Sequence, residues 1–300
     1  MKLKKVFITG ISGLLGNSIA QSFSKDIYVA GCYLNNGVIF GDKNINIIKL
    51  DLLDFETSCK EISKFSPDMI IHCIAMTNVD YAETHREECH ALNVTTTENI
   101  VRIAESLDKK LIYISTDSVF DGKKGNYSET DKPNPLNVYA KEKLDGENIV
   151  KKYKNSTIIR TNIYGINVQN KKSIFEWVIE NLKNDTAFNG FTDIYFTPVL
   201  TNRFAKILTK IYESNFKGTV NIGSTDKINK YEFACIVADV FGYDKNLILP
   251  ITSDGKFNTP RPKDTSLNVE LAEKIGIELY SVHKDVVELK NLLKNDKSFN

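Results

Sequence analysis

Three hundred residues, 42% hydrophobic and 26% charged, are enough for a sizeable buried core in one or two domains. Lysine plus arginine number 39 against 38 acids, so a net charge of +1 gives no field to attract nucleic acid or an acidic membrane surface. No apolar run is long enough to span a membrane, and the partner expected is a small molecule.

The chain opens with lysines followed by Val6-Phe-Ile-Thr9, as a signal peptide would, but Gly10, Gly13 and Gly16 interrupt it before an apolar stretch develops. It reads as a first strand. Further apolar runs bounded by turn residues lie at Ile27 to Tyr33, Ile45 to Leu50, Met69 to Cys73, Leu111 to Ser115 and Thr157 to Arg160, and have the character of buried parallel strands. Helical spacing falls between them, over Leu14 to Phe23, Phe55 to Phe65, Glu83 to Leu107 and Val138 to Tyr153. Strand alternating with helix predicts an α/β fold with a doubly wound parallel Rossmann sheet over residues 1–165. Beyond Gly165 the regularity weakens. Helical segments at Ile174 to Leu182, Phe204 to Tyr212 and Tyr231 to Phe241, separated by glycine, proline and asparagine turns, suggest a smaller α/β substrate domain over 166–300. A return to the first sheet is expected within 190–225, where Gly218-Thr-Val-Asn-Ile-Gly223 reads as a strand.

Cys32, Cys59, Cys73, Cys89 and Cys235 form an odd set with no C-x-x-C pair, which suits reduced thiols and a cytoplasmic location. The four histidines stand apart from them, so no metal site is expected.

Gly10-Ile-Ser12-Gly13-Leu14-Leu15-Gly16 follows the first strand and opens the first helix. There a dinucleotide pyrophosphate rests on backbone N–H groups and the positive helix end. The spacing is G-x-x-G-x-x-G rather than G-x-G-x-x-G, and a tight turn without ligand is the alternative. The end of the second strand, Gly31-Cys-Tyr-Leu-Asn-Asn36, offers no carboxylate for a ribose 2'-hydroxyl and no arginine for a 2'-phosphate. Both NADP and NAD therefore stay open, with a lean to NADP. Asp51 is placed either to bond the adenine amino group or simply to brace a turn.

Tyr139 and Lys143 are four apart on a predicted helix and share a face. An ammonium beside a phenol is expected to lower its pKa from about 10, fitting it to protonate a carbonyl that accepts hydride. Thr116, in Ser115-Thr116-Asp117 at the end of the fifth strand, is placed to bond the same oxygen. Asn93 lies inside the long predicted helix, where an amide is ordinarily a solvated side chain.

Taken together, the glycine loop, Ile71-His-Cys-Ile-Ala-Met-Thr-Asn-Val-Asp-Tyr-Ala-Glu83, Ser115-Thr-Asp-Ser-Val-Phe-Asp-Gly122, Pro135-Leu-Asn-Val-Tyr-Ala-Lys-Glu-Lys-Leu-Asp-Gly-Glu147, Arg160-Thr161 and Arg261-Pro262 resemble the dTDP-4-dehydrorhamnose reductase family of extended short-chain dehydrogenases/reductases. The similarity runs from residue 3 to about residue 280. It implies a catalytic set of Thr116, Tyr139 and Lys143, with Asn93 supporting a proton relay through the lysine. By the same resemblance Gly10, Ser12, Gly13, Leu14, Leu15 and Gly16 hold pyrophosphate, Asp51 and Leu52 the adenine, and Ala75 and Thr77 the nicotinamide half, with Tyr139 and Lys143 also contacting the cofactor and Lys143 orienting its ribose. Asp117, Ser118 and Asn162 would face the sugar, and Arg261 the substrate phosphate, unless it makes a surface salt bridge instead.

The pattern departs from the family in two places. Ser118 stands where family reductases carry tyrosine after Ser-Thr-Asp, and Arg160-Thr-Asn-Ile-Tyr-Gly165 lacks their tryptophan. The expected activity is NAD(P)H-dependent reduction of a 4-keto-6-deoxy nucleotide sugar for deoxysugar or surface polysaccharide synthesis, in a chain that pairs, if at all, as a homodimer. Dehydration is disfavoured because Ser118 cannot act as the glutamate base a dehydratase places there. A sugar-nucleotide epimerase and a non-catalytic NAD(P)-binding regulatory subunit of the same fold remain as alternatives.

Overall fold

The computed structural model describes residues 2–38, 40–169 and 171–295. Its elements in chain order are β1 Lys5–Thr9, α1 Leu14–Phe23, β2 Tyr28–Tyr33, β3 Ile45–Lys49, α2 Phe55–Phe65, β4 Met69–His72, α3 Val79–Thr84, α4 Arg86–His90, α5 Thr96–Ser106, β5 Lys110–Ile114, α6 Val138–Val150, β6 Ser156–Thr161 and β7 Ile163–Tyr164. They continue with α7 Ile174–Lys183, β8 Phe188–Phe191, β9 Tyr195–Phe196, β10 Val199–Leu200, α8 Phe204–Glu213, β11 Gly218–Ile222, β12 Ile228–Asn229, α9 Lys230–Phe241, β13 Ile248–Ile251, α10 Glu270–Lys274 and α11 Val282–Asn295.

Seven strands form one parallel sheet in the order β11-β6-β5-β4-β1-β2-β3. The strand order reverses between β1 and β4, which opens a crevice at their carboxyl ends. Helices cover both faces, so the strands are buried on alternate sides. Val6, Ile8, Ile71, Ile112, Ile159 and Val220 pack toward α1 and α8. Phe7, Ile70, Leu111, Tyr113 and Ile158 pack toward the opposite face with residues of α2, α5 and α6. This fold is the α/β Rossmann sheet the sequence predicts, and β11 joins its edge beside β6.

A separate apolar cluster gathers Tyr164, Phe175, Phe188, Phe196, Phe233, Val237, Val282 and Val286 from β7, α7, β8, β9, α9 and α11. Three two-stranded pairs, β10 with β7, β12 with β9 and β13 with β8, frame it. α7 and α9 each begin with a capping box, Ser173 with Glu176 and Asn229 with Glu232. Among the described residues no helix is long and apolar enough to cross a membrane.

One prediction fails locally. The continuous helix expected from Glu83 to Leu107 is divided at His85, and Ala91–Thr95 winds as a π-helical turn before α5. The run Val94-Thr-Thr-Thr97 explains it. β-Branched residues resist regular helix, and the Thr96 and Thr97 hydroxyls donate back to the carbonyls of Leu92 and Asn93, at 2.6 and 2.7 Å.

Arg160 on β6 and Glu147 on α6 are 1% and 0% exposed, and their pairing fastens this helix to the sheet. Arg160 Nε and Nη2 donate to Glu147 Oε1 and Oε2 at 2.9 and 2.7 Å, and Ser115 Oγ donates to Oε1 at 2.7 Å. Burial raises the glutamate pKa, but the guanidinium outweighs it and holds Glu147 below its usual range. Replacing Arg160 with methionine alone leaves the buried carboxylate with only Ser115 and the half-exposed Lys151 ammonium at 3.4 Å, and is expected to cost about 3 kcal/mol, while adding Glu147→Leu should restore much of the loss. Urea denaturation of the single and double variants checks this, and an unchanged midpoint in Arg160→Met would reject it.

Candidate active site

The glycine loop makes the turn from β1 into α1. Gly10 has φ +68°, a left-handed conformation costly for any residue with a Cβ. A Cβ on Gly16 would stand 2.3 Å from the Gly10 carbonyl oxygen, so α1 approaches the loop as closely as it does because that position is bare. Gly13 occupies the N-cap of α1 and supplies no side-chain acceptor, and the first turn holds no acid. Unclaimed N–H groups at a positive helix end fit a pyrophosphate. Ser12 and Leu14 are partly exposed there, whereas Leu15 is 5% exposed and belongs to the core.

The other expected cofactor residues occupy different surroundings. Asp51 accepts from Leu53 N at 2.9 Å, bracing a turn while remaining exposed. The Leu52 side chain is buried and its carbonyl accepts from Asn99 Nδ2 at 2.8 Å. Ala75 and Thr77 follow β4 beside the crevice; Thr77 Oγ1 bonds Lys171 Nζ at 2.5 Å, which brings the loop after β7 across to this edge.

A hydrogen-bonded chain runs from the glycine strand into the π-helical turn. Thr97 Oγ1 donates to Asn93 O at 2.7 Å and so accepts from His72 Nε2 at 3.1 Å, leaving His72 Nδ1 to accept from Thr9 Oγ1 at 2.7 Å. Burial, assisted by the nearby Lys143 charge, pushes the His72 imidazole down to about 3, so it serves as a neutral connector. Asn93 is fully buried, correcting the ordinary expectation of a solvated helical amide. Its Oδ1 accepts from Met76 N at 2.8 Å and its Nδ2 meets Cys89 Sγ at 3.2 Å, which ties the π turn to the segment after β4.

Tyr139 and Lys143 stand one turn apart at the start of α6, whose N-cap Asn137 accepts from Ala140 N at 3.0 Å. Lys143 is 2% exposed, donates to Ile114 O at 2.8 Å and lies 4.0 Å above the Tyr113 ring. Burial brings its ammonium down to about 7, although Glu147 pulls the other way. The Tyr139 phenol stands near enough to the Thr116 hydroxyl for that group to act on its acidity. Its phenol is not depressed as expected: desolvation lifts it to about 12, and the Asp117 charge adds to the rise.

Thr116 caps a short 3-10 turn, Asp117–Val119, accepting from Ser118 N at 3.1 Å. Asp117 is 1% exposed and its carboxylate is fully engaged. Oδ1 accepts from Thr116 and Ser118 hydroxyls at 3.1 and 3.3 Å, and Oδ2 from Asn162 Nδ2 and Thr265 Oγ1 at 2.9 and 2.6 Å. Ser118 and Asn162 open onto a cavity of about 490 Å³ with aromatic walls that include Trp177, Phe188, Phe196 and Phe257. Arg261 lines its rim, over the Phe257 ring, and also pairs with Asp80 at 2.8 Å. Both expectations for this arginine are thus compatible with its position.

The structure brings in four residues that sequence reasoning left without a role. Glu147, Arg160 and His72 sit inside recognisable motifs, but their partners come from other elements and no local pattern marks the pairing. Lys230, on the cavity wall, is the fourth. A cation at the first position of a helix opposes the helix dipole, and that was its one sequence signal. The five cysteines are free, and among the described residues no cluster of metal-ligating side chains occurs.

Comparison with known proteins places these features in a family. A model described as the RmlD substrate binding domain matches residues 4–295. Methionine adenosyltransferase 2 subunit beta of Xenopus laevis is 30% identical over 287 residues, covering 91% of this chain and 83% of that protein. The probable low-salt glycan biosynthesis reductase Agl14 of Haloferax volcanii is 26% identical over 291 residues, covering 94% and 96% respectively. Among solved structures, a hypothetical dTDP-4-dehydrorhamnose reductase from Sulfolobus tokodaii superposes with a TM-score of 0.82 at 31% identity, covering 92% of this chain and 97% of that one.

His72 makes acid stability a test of the buried chain of hydrogen bonds. Its folded pKa lies below the unfolded value of 6.5, so the native state binds fewer protons between 6.5 and about 3 and loses stability as pH falls through that window. Melting temperatures should drop from about pH 7 to about pH 5, and His72→Gln, whatever its starting stability, should show a shallower drop. An equally steep fall in the variant would show that other groups carry the acid lability.

Proposed function

The chain belongs to the RmlD substrate binding domain family, and from that premise we propose that it is an NAD(P)H-dependent reductase of a 4-keto-6-deoxy nucleotide sugar, acting as dTDP-4-dehydrorhamnose reductases do. The observation that carries the proposal is the meeting of Thr116, Tyr139 and Lys143 at the carboxyl edge of the sheet, between the glycine loop and the aromatic cavity. A nicotinamide dinucleotide bound on the glycine loop would supply the hydride. Gly10, Ser12, Gly13, Leu14, Leu15 and Gly16 hold its phosphates, Asp51 and Leu52 the adenine side, and Ala75 and Thr77 the nicotinamide side. The absence of a carboxylate in Leu34-Asn35-Asn36, just past β2, favours NADP over NAD.

Tyr139 donates the proton to the substrate oxygen, and burial keeps that proton on the phenol until it is needed. Thr116 donates to the same oxygen once its hydroxyl turns from Asp117. Lys143 would bond the cofactor ribose and, when charged, would steady the phenolate that remains; Asn93 fixes the π turn behind it. Asp117 orients Asn162 and Ser118 toward the sugar, and Arg261 receives the phosphate. Residues 1–165 bind the dinucleotide in this reading, and residues 166–300 supply most of the sugar side.

A second reading has one specific support, the 30% identity to a methionine adenosyltransferase subunit. There the chain would keep the nucleotide site for binding while a partner enzyme performs the chemistry. Turnover separates the two. Tyr139→Phe should lower ketone-dependent NADPH oxidation by about 10²-fold or more while leaving NADPH affinity within about twofold. Near-normal turnover in that variant would remove Tyr139 from the mechanism. A wild-type chain that binds NADPH but oxidises none across 4-keto-6-deoxy nucleotide sugars would favour the subunit reading.

A further inference from the structure

We propose that Lys230 is a specificity-determining residue of the aromatic cavity, and that the sugar it selects carries a carboxylate, on the ring or on a short linked arm. The inference rests on the reading of this cavity as the nucleotide-sugar site.

Three cations line the cavity, Lys172, Lys230 and Arg261, and no aspartate or glutamate is among the lining residues. Two of the three already have carboxylate partners outside it, Lys172 with Glu180 and Arg261 with Asp80. Lys230 has none among the described residues. Its Nζ lies 3.2 Å from the centre of the Phe196 ring, a contact that replaces only part of the hydration an ammonium loses.

The nearest acid does not serve as its partner. Asp117 acts on Lys230 through its field, but the four hydrogen bonds from Thr116, Ser118, Asn162 and Thr265 saturate that carboxylate. Burial accordingly draws the lysine down to about 7. The backbone position offers no relief either, since Lys230 begins α9 at the positive end of the helix. A cation kept in a poor location, facing a cavity and lacking an anion, is suited to an anion that arrives with the ligand. Lys230 lines the same cavity as Ser118 and Asn162, the residues read as facing the sugar, which puts that anion on the sugar.

The test compares acidic and neutral nucleotide sugars by calorimetry with NADP⁺ present. UDP-glucuronate is set against UDP-glucose, UDP-N-acetylmuramate against UDP-N-acetylglucosamine, and UDP alone serves as the reference. At least one acidic sugar is expected to bind more tightly than its neutral counterpart, and Lys230→Met should weaken it about tenfold or more while changing the neutral sugars and UDP by about twofold or less. Thermal melting reports folding, and Lys230→Met should melt at or above the wild-type temperature because it removes a half-buried amine that has no carboxylate partner among the described residues. Equal weakening of UDP and every sugar would make Lys230 a phosphate ligand and overturn the inference. So would no acidic preference in the wild type, or one that survives in the variant. Failure of every UDP sugar to bind, with NADP⁺ still bound, would overturn this inference alone, because the functional reading is decided by turnover of 4-keto-6-deoxy nucleotide sugars.

Discussion

Two charges withdrawn from water must stay paired, and the geometry of the site follows from that constraint. Removing either partner of the Glu147 and Arg160 pair would strand an ion in a medium of low dielectric, a penalty of several kcal/mol per ion. The pair also has direction. Two parallel bonds from a planar guanidinium fix the carboxylate, and Ser115 adds a third from the end of β5. Glu147 follows Lys143 and Tyr139 at successive four-residue intervals on α6, so one ion pair sets the rotation and height of both. Ser115 is the immediate neighbour of Thr116. The same bonds therefore hold both halves of the Thr116 and Tyr139 pair across the adjacent strands β5 and β6.

Elsewhere the protein buries basic groups without giving them an acid. Lys143 and His72, both buried, and the half-buried Lys230 are drawn below their ordinary pKa by desolvation. His72 is spent on structure, since both ring nitrogens are bonded. Lys143 has a single carbonyl partner, and Lys230 an aromatic face. The contrast with Arg160 is informative. Where the fold needs permanence it supplies both charges, and where it needs affinity for a ligand it leaves one side open.

The sheet was legible because its strands are buried on both faces and so read as continuous apolar runs, with helices of ordinary amphipathic spacing between them. The breaks were less so. Nothing in a periodicity argument separates a π turn from a helix, although Val94-Thr-Thr-Thr97 carried the cause in plain view. The glycine loop and the Tyr139 and Lys143 pair were legible from spacing, because each is local. Asn93 was legible as a residue and misjudged in its surroundings, since its burial depends on Met76 and Cys89 reaching it from other segments. Lys230 was missed for a similar reason: the cavity that gives it meaning is assembled from α7, β8, β9 and the segment around Arg261, far apart in the chain.

The two aromatics absent at Ser118 and Ile163 do not leave the cavity polar. Trp177, Phe188, Phe196 and Phe257 supply apolar walls from other positions, so the cavity keeps an aromatic lining without them. The raised phenol then bears on the direction of the chemistry. A tyrosine drawn to about 12 is protonated throughout the neutral range, which is the form a reduction consumes and an oxidation must first discharge. Lys143, at about 7, is the one group beside it whose charge changes near neutral pH. In the proposed reduction a proton on that amine would offset part of the phenolate charge left by the transfer. Burial sets both values, and it does so through the packing of α6 against β5 that the Glu147 and Arg160 pair maintains.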